Sequence, residues 1–218
     1  MIDLPLFPLN TVLFPGMPLK LHIFEERYKH MINECTEAQK PFGVVLIESG
    51  DEALGELPHP HLIGTTAYIT QVQRLPFGRM NILAVGKDRF RVTSLSHEKP
   101  FLSGLVDLIP LVQDDNVALQ RGERQLRPLL NRYLAALSEA GLQFEAADLP
   151  EDALALAYLA AVVLQTEAHH KQQILEAVNT TQLLQRLTST YRREVAMLDV
   201  MLTSPANSDD QQGPFSYN

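Results

Sequence analysis

The spacing of hydrophobic positions divides the chain into a β-rich first part and a helical second part. In the opening, Pro5, Pro8 and Pro15 stand among large apolar residues. They exclude a continuous helix, because each proline lacks a backbone donor and clashes with the preceding turn. Pro15-Gly16 predicts a turn, and the alternation of apolar and polar residues over 19–23 predicts a half-buried strand after it. We therefore expect strand, turn, strand and helix in this opening.

Short apolar and β-branched runs predict further strands up to about residue 112. Pro76-Phe77-Gly78 lies between two of these runs and predicts a hairpin tip. Short strands with glycines at bends indicate a small β-barrel or a strongly curved sheet. The expected strands cover residues 42–47, 64–73, 81–86, 89–92 and 102–109. One helix over residues 25–38 interrupts them, with an expected core-facing stripe of Phe24, Tyr28, Met31, Ile32 and Cys35.

Beyond Pro110 the hydrophobic spacing becomes helical. Leucines and a tyrosine over residues 126–137 recur at three- and four-residue intervals, which predicts an amphipathic helix. Pro128 within this pattern predicts a kink or a restart, because proline breaks the helical hydrogen-bond ladder. Gly141 predicts the end of the helix.

Two cap signals predict the starts of later helices. Asp148 and Glu151 have the spacing of a capping box, which would open a helix over residues 150–166. That segment is apolar nearly all round, so we expect it to be central and the most buried helix. Further helices are expected over residues 170–178 and, after a cap at Asn179, up to about residue 202.

These patterns predict an α+β protein with two parts and a tail. The first part is a β module over residues 1–112, and the second is a helical bundle over residues 116–202. Residues 203–218 are mostly Ser, Asn, Asp, Gln, Gly and Pro. Such a segment buries too little apolar surface to offset its ordering entropy, so we expect the tail to be disordered.

Composition narrows the function classes. The chain has 218 residues, of which 45% are hydrophobic and 20% are charged, as in ordinary globular proteins. Its net charge of −8 argues against nucleic acid as a partner, because such binding needs an excess of Lys and Arg. We expect no membrane partner, no signal peptide and a cytoplasmic location. Cys35 is the single cysteine, which excludes an intramolecular disulfide and predicts a small buried hydrophobe.

The sequence carries no recognisable catalytic constellation. A phosphate-cradling loop ending in Gly-Lys-Ser/Thr is missing, since Gly86-Lys87 is followed by Asp88. A nucleophile elbow of the form G-x-S-x-G is also missing. We therefore expect no enzymatic activity and no cofactor.

Two histidine pairs are the remaining candidates for metal ligands. In His59-Pro60-His61 an extended backbone would place both rings on one side, with Glu56 as a third ligand. His169 and His170 would point about 100° apart on a helix, which makes them poor joint ligands. We expect both pairs to be surface histidines without a metal.

Binding residues are easier to nominate than catalytic ones. The hairpin tip places Phe77 beside Arg79, and an exposed aromatic next to an arginine is typical of interface anchors. The alternative is that Phe77 folds back on its own hairpin. Phe14 and Met17 flank the Pro15-Gly16 turn and are candidates for lining a groove at the barrel edge, with core packing as the alternative.

The opening "LPLFPLNTVLFPGMPLKLHIFEERY" resembles the first signature of the Lon N-terminal domain, the substrate-recognition region of Lon proteases. Later strand motifs match the same family in order. They are Phe42-Gly43-Val44-Val45-Leu46, Ile63-Gly64-Thr65-Thr66-Ala67, Asn81-Ile82-Leu83-Ala84-Val85-Gly86 with Arg89-Phe90-Arg91, and Phe101-Leu102-Ser103-Gly104-Leu105-Val106. The resemblance extends from residue 1 to about residue 202. Phe77 departs from it, since a polar residue is expected at that turn.

The resemblance implies a PUA-like β module followed by a helical bundle. In Lon proteases this region recognises unfolded or tagged substrates and helps hold the hexamer together. We expect the ATPase and protease domains of those enzymes to have no counterpart in this chain. The resemblance therefore implies a protein- or peptide-binding module, such as an adaptor in protein quality control. Its partners would be unfolded or exposed apolar protein segments within a protease system, and its oligomeric state is left open.

Two other functions remain open at this point. One is an enzyme or small-molecule ligand-binding protein with a site between the β module and the bundle. The other is an RNA-binding protein, as in other PUA-like families. The acidic chain lacks the basic stripe that such binding needs.

Overall fold

The computed structural model describes residues 1–50, 58–112, 116–139 and 149–203. The strands and α-helices in these residues occur in the order β1 (Ile2–Leu9), β2 (Pro18–Ile23), α1 (Glu26–Ala38), β3 (Phe42–Ser49), β4 (His59–Arg74), β5 (Met80–Ser96), β6 (Ser103–Leu108), α2 (Asn116–Glu139), α3 (Ala153–Val163), α4 (Ala168–Leu175) and α5 (Thr180–Thr203). A single 3₁₀ turn, Pro76–Gly78, joins β4 to β5. The α+β class expected from the sequence is confirmed.

The six strands form one sheet that closes on itself. Their order is β2-β5-β4-β3-β1-β6, and β6 also pairs with β5. β1 and β3 are parallel, while the other pairs are antiparallel. The ring β1-β3-β4-β5-β6 is therefore a small barrel, as predicted. The predicted strands over residues 81–86 and 89–92 are one strand, β5, and β4 has 16 residues.

β2 lies outside this ring. It pairs with the first half of β5, from Pro18 opposite Val85 to Ile23 opposite Met80. β6 pairs with the second half of β5, from Phe90 opposite Leu108 to Ser96 opposite Ser103. Among the described strands, β2 has no second neighbour, so one of its edges is open.

Glycines allow the strands to cross at close range inside the barrel. A Cβ on Gly64 would lie 2.3 Å from the Val44 carbonyl oxygen and 2.7 Å from the Phe90 ring. A Cβ on Gly43 would also lie 2.7 Å from the Phe90 ring. Phe90 fills the space that these two glycines leave in the barrel interior.

Helix α1 buries Tyr28, Met31, Ile32 and Cys35 against the barrel, as its spacing predicted. The inclusion of Phe24 in that stripe is wrong, because its side chain is 51% exposed. The helix begins at Glu26 after an extended N-cap residue, Glu25. Phe24 therefore precedes the helix and does not follow its period.

Helix α2 begins earlier than the leucine pattern indicated and continues through Pro128. The predicted restart is therefore wrong. Leu126, Leu130 and Tyr133, on both sides of the proline, are buried in the core that α2 shares with α5. This packing offsets the hydrogen bond that proline removes. The predicted stop at Gly141 lies outside the described residues.

Helix α3 begins at Ala153, three residues later than predicted. Its N-cap is Asp152, whose Oδ1 accepts a hydrogen bond from the Ala155 amide at 2.8 Å. The predicted box of Asp148 and Glu151 does not cap this helix, and Asp148 itself lies outside the described residues. Five of the eleven α3 residues are buried, consistent with its all-apolar sequence.

The second predicted cap is confirmed. Asn179 Oδ1 accepts from the Gln182 amide at 2.9 Å, and Gln182 Oε1 accepts from the Val178 amide at 2.8 Å. These bonds satisfy two donors at the start of α5, which then continues to Thr203. α4 begins two residues before its predicted start and ends three before its predicted end.

The barrel and the helices share one core. Val12, Phe14 and Leu46 from the first part lie in the same buried cluster as the leucines and alanines of α2, α3 and α5. The boundary between residues 112 and 116 stays a prediction. The predicted tail overlaps α5 at Thr203, and its remaining residues lie outside the described ones.

Replacing Asp152 with Ala is expected to lower the free energy of unfolding by about 1 kcal/mol, because it removes the side-chain acceptor at the start of α3. Urea denaturation followed by circular dichroism measures this loss. Glu151→Ala is the matched control, since Glu151 is exposed and adjacent but makes no cap bond to α3. Equal effects of the two substitutions would contradict the assignment of Asp152 as the cap.

The thiol of Cys35 is expected to be unreactive in the folded protein. It is 2% exposed, and burial, with a smaller contribution from Glu34, raises its pKa to about 11. At pH 8 the folded protein should react with a thiol reagent at least about 100-fold more slowly than the unfolded chain, since only the thiolate reacts. The protonated thiol stabilises the fold fully below about pH 9, and this contribution is lost as the pH rises toward 11. Equal rates for folded and unfolded protein would contradict this burial.

Candidate functional site

The hairpin between β4 and β5 carries an exposed phenylalanine. The side chain of Phe77 is 87% exposed, so it does not fold back on its hairpin. Its backbone is left-handed, with φ at 62°, a conformation that costs an aromatic residue about 1 kcal/mol or more. The Arg79 guanidinium lies 5.9 Å from the centre of the Phe77 ring. The structure thus brings these two predicted residues together at the tip.

Lys29 of α1 fixes the position of this tip. Its Nζ donates to the Phe77 carbonyl oxygen at 3.0 Å and pairs with Glu26 Oε1 at 2.7 Å. Leu75 and Arg79 close the hairpin itself through an amide–carbonyl bond of 2.8 Å. The tip is therefore anchored to the start of α1, while the Phe77 ring points away from the core.

A cleft of about 270 Å³ lies beside the tip, between β1, β2 and the start of α1. Stacked rings of Phe7 and Tyr28, with centroids 4.0 Å apart, form part of its wall. The exposed Phe24 lies at its edge. The cleft is lined by Phe7, Leu9, Leu21, His22, Ile23, Phe24, Glu25 and Tyr28. It follows the open edge of β2, where backbone groups have no neighbouring strand.

A second depression of about 530 Å³ lies on the other side of β2, over β5 and β4. Polar side chains cross it in a row, with His22 Nδ1 2.7 Å from Asn81 Oδ1 and Asn81 Nδ2 donating to Gln73 Oε1 at 3.0 Å. Leu21 and His22 line both depressions. We call the surface formed by Leu21, His22, Phe24, Phe77 and Arg79 the β2 surface.

Phe14 and Met17, the other two predicted binding residues, lie elsewhere. Phe14 is 1% exposed and packs in the core between barrel and helices. The Pro15-Gly16 turn is bound to β5, since the Gly16 amide donates to the Gly86 carbonyl at 2.8 Å. A Cβ on Gly86 would lie only 2.3 Å from the Phe14 carbonyl oxygen. Phe14 is thus out of reach of a partner, and Met17 is half-buried beside it.

Sequence reasoning did not select Phe24 and Leu21 for the β2 surface. Both were expected to face the core: Phe24 does not, whereas Leu21 packs partly against the core and also lines both depressions. The sequence did contain a signal for Phe24. Glu25 is the N-cap of α1, and an apolar residue immediately before an N-cap lies outside the helix. The open edge of β2 had no signal in the sequence, since it depends on which strand β6 joins.

Polar groups between the barrel and the bundle join the two parts. Arg89 is buried on β5, and its Nη2 donates to the Ala177 carbonyl oxygen at 2.7 Å. Burial lowers the pKa of Arg89 and raises that of Tyr158, which is hydrogen-bonded to it. Gln172 Nε2 donates to the Ile63 carbonyl oxygen at 3.0 Å. Arg89 and Gln172 therefore connect the two parts, while Arg89 Nε and Gln172 Oε1 are buried without a hydrogen-bond partner in the described residues.

The two histidine pairs differ in the structure. His61 Nδ1 lies 3.8 Å from Glu176 Oε1, and Glu56 lies outside the described residues. The expectation that His169 and His170 point apart is wrong, because their ring centroids are 3.9 Å apart. Glu167 Oε2 lies 3.1 Å from His169 Nδ1.

None of the helices in the described ranges combines the length and the apolar character that crossing a bilayer requires.

Comparison with known families gives one match over most of the chain. Residues 3–192 match the model of the ATP-dependent protease La (LON) substrate-binding domain. Lon protease 2 of Herpetosiphon aurantiacus is 26% identical over 204 residues, which cover 91% of this chain and 25% of that protein. Lon protease of Flavobacterium johnsoniae is 30% identical over 106 residues, which cover 48% of this chain and 13% of that protein. The chain thus spans about a quarter or less of these curated relatives.

Two solved structures share the fold. The Lon N-terminal domain protein from Xanthomonas campestris superposes with a TM-score of 0.62 at 26% identity, covering 87% of this chain and 98% of that one. The N-terminal domain of the Mycobacterium avium complex Lon protease gives a TM-score of 0.65 at 18% identity, covering 88% of this chain and 98% of that one. The matched part is in each case a substrate-binding or N-terminal domain and not a catalytic one.

Proposed function

The chain belongs to the ATP-dependent protease La (LON) substrate-binding domain family, and from this membership we propose that it is a non-catalytic module that binds unfolded polypeptide. The occupant is an extended, apolar segment of another protein, held at the β2 surface. The module acts as an adaptor for a protease system in the cytoplasm. Peptide bond cleavage and ATP hydrolysis would belong to that partner system.

The open edge of β2 beside an apolar cleft is the observation that carries this proposal. An extended polypeptide that pairs with a free strand edge gains backbone hydrogen bonds whatever its sequence. Alternate side chains of such a segment would then face the cleft between β1 and β2. This geometry suits a module that must accept many unfolded chains, because the backbone supplies part of the affinity.

Phe24 and Phe77 supply apolar contacts at one end of that edge, because Ile23 pairs with Met80 next to the hairpin tip. Both are exposed, and both lie next to α1, one immediately before it and one held by Lys29. Aromatic rings bury large apolar areas at low entropic cost, and a neighbouring arginine such as Arg79 is common at such anchors. Folded proteins present few extended apolar segments, so this surface favours unfolded partners.

Replacing Phe77 or Phe24 with Ala is expected to weaken binding to unfolded protein about tenfold, the loss typical of an aromatic anchor. Fluorescence anisotropy measures the dissociation constant, with a reduced, carboxymethylated protein as a permanently unfolded probe. Leu62→Ala is the matched control, because Leu62 is also exposed but lies at the opposite end of β4. We expect the control to bind as the unaltered protein does.

Two results would overturn the proposal. One is that the unaltered protein binds the unfolded probe no more tightly than it binds the folded form of the probe protein. The other is that Phe24→Ala and Phe77→Ala bind the probe as well as the Leu62→Ala control does. Circular dichroism of each variant establishes that the fold is retained.

A further inference from the structure

Glu167, His169 and His170 form a compact cluster at the start of α4, on the helical part and separate from the β2 surface. One ligand atom from each of the three side chains lies within 4.8 Å of the other two. Glu167 Oε2 is 3.1 Å from His169 Nδ1, and the two imidazole rings are 3.9 Å apart between centroids. We call these three residues the 167–170 cluster.

The local backbone explains why the three side chains meet. Glu167 is the N-cap of α4 and has an extended backbone, with φ at −60° and ψ at 147°. Its carbonyl oxygen accepts from the amides of His170 and Lys171 at 3.1 and 3.2 Å, which fixes the first turn. The carboxylate therefore stays beside the histidines that follow it.

His170 has a nitrogen without a partner. Its Nδ1 is buried and receives no hydrogen bond from the part of the chain that the structure describes. A ring nitrogen without a hydrogen-bond partner is available to coordinate a metal ion.

Two charged side chains of α5, Arg193 and Glu194, lie near His170. Glu194 Oε1 accepts from Thr166 Oγ1 at 3.3 Å, and Arg193 lies 3.4 Å from the same oxygen. Arg193 is therefore paired with Glu194, and Glu167 remains the carboxylate beside the two imidazoles.

We propose that the 167–170 cluster binds one divalent transition-metal ion of the Zn²⁺ type through two imidazoles and one carboxylate. This donor set suits Zn²⁺ and its neighbours, whereas Ca²⁺ and Mg²⁺ prefer oxygen ligands alone. A tetrahedral site with bonds of about 2.0–2.1 Å needs ligand atoms about 3.3 Å apart, so small side-chain rotations complete it. Glu167 and His169 are exposed enough to make them.

Three protein ligands leave a fourth position for water or for a group from a partner. Bound metal would tie the segment between α3 and α4 to the first turn of α4. Since binding to the folded state alone stabilises it, the ion should also raise the melting temperature. This inference does not depend on the polypeptide-binding function.

Equilibrium dialysis of tag-free protein against Zn²⁺ at pH 7.5 tests the site. We expect one Zn²⁺ per chain, a higher melting temperature with the metal, and at least about tenfold weaker binding in His169→Ala and in His170→Ala. Glu167→Gln should weaken binding less than the histidine substitutions, since it retains one oxygen ligand. His59→Ala is the matched control and should bind as the unaltered protein does.

The proposal is overturned if no stoichiometric Zn²⁺ binds, or if both histidine variants bind it as tightly as the His59→Ala control. Cobalt(II) absorption adds a second measurement, because a nitrogen and oxygen site lacks the intense sulfur charge-transfer band. Such a band would place the metal at Cys35 and contradict the assignment. His169→Ala keeps the test valid if His170→Ala fails to fold, since the His169 side chain is 55% exposed.

Discussion

The pairing of β5 with three other strands determines both where the barrel closes and where it stays open. β5 has 17 residues, and it pairs with β4 along most of its length. On its other side it pairs first with β2 and then with β6. Because β6 also joins β1, the second half of β5 belongs to a closed ring. The first half of β5 pairs with β2, whose other edge has no neighbouring strand among the described residues.

The same strand connects the barrel to the helices. Gly86, at the point where β5 changes partners, lies against the Phe14 carbonyl, and this brings the Pro15-Gly16 turn onto the strand. Three residues later Arg89 reaches the Ala177 carbonyl and the Tyr158 hydroxyl across the junction. A buried guanidinium is costly to desolvate, so losing these acceptors would leave an uncompensated charge. The junction therefore has a defined orientation and not only a shared apolar surface.

Local patterns in the sequence predicted most of the elements, and non-local pairing explains what they missed. β-branched runs located β3 and β4, and the Asn179 cap located the start of α5, because these signals lie within a few residues of their effect. The cap of α3 was misplaced since Asp148 and Asp152 are both good N-cap residues, and only the packed helix decides between them. The sequence left two alternatives each for Phe77 and Phe14, and the structure has Phe77 exposed at the tip and Phe14 packed in the core. The open edge of β2 depends on β6, about 80 residues further along the chain, and no local pattern reports it.

Stability alone does not account for the conformation of Phe77. A left-handed backbone is unfavourable for an aromatic residue, and exposure of the ring forgoes the apolar burial that would offset this cost. Gly78 and the Leu75–Arg79 hydrogen bond would close the hairpin equally well with a polar residue at this position. Lys29 nevertheless binds the Phe77 carbonyl and holds the tip beside α1. The proposed contact with a partner would account for a strained, exposed and anchored aromatic ring, which is why the β2 surface includes Phe77.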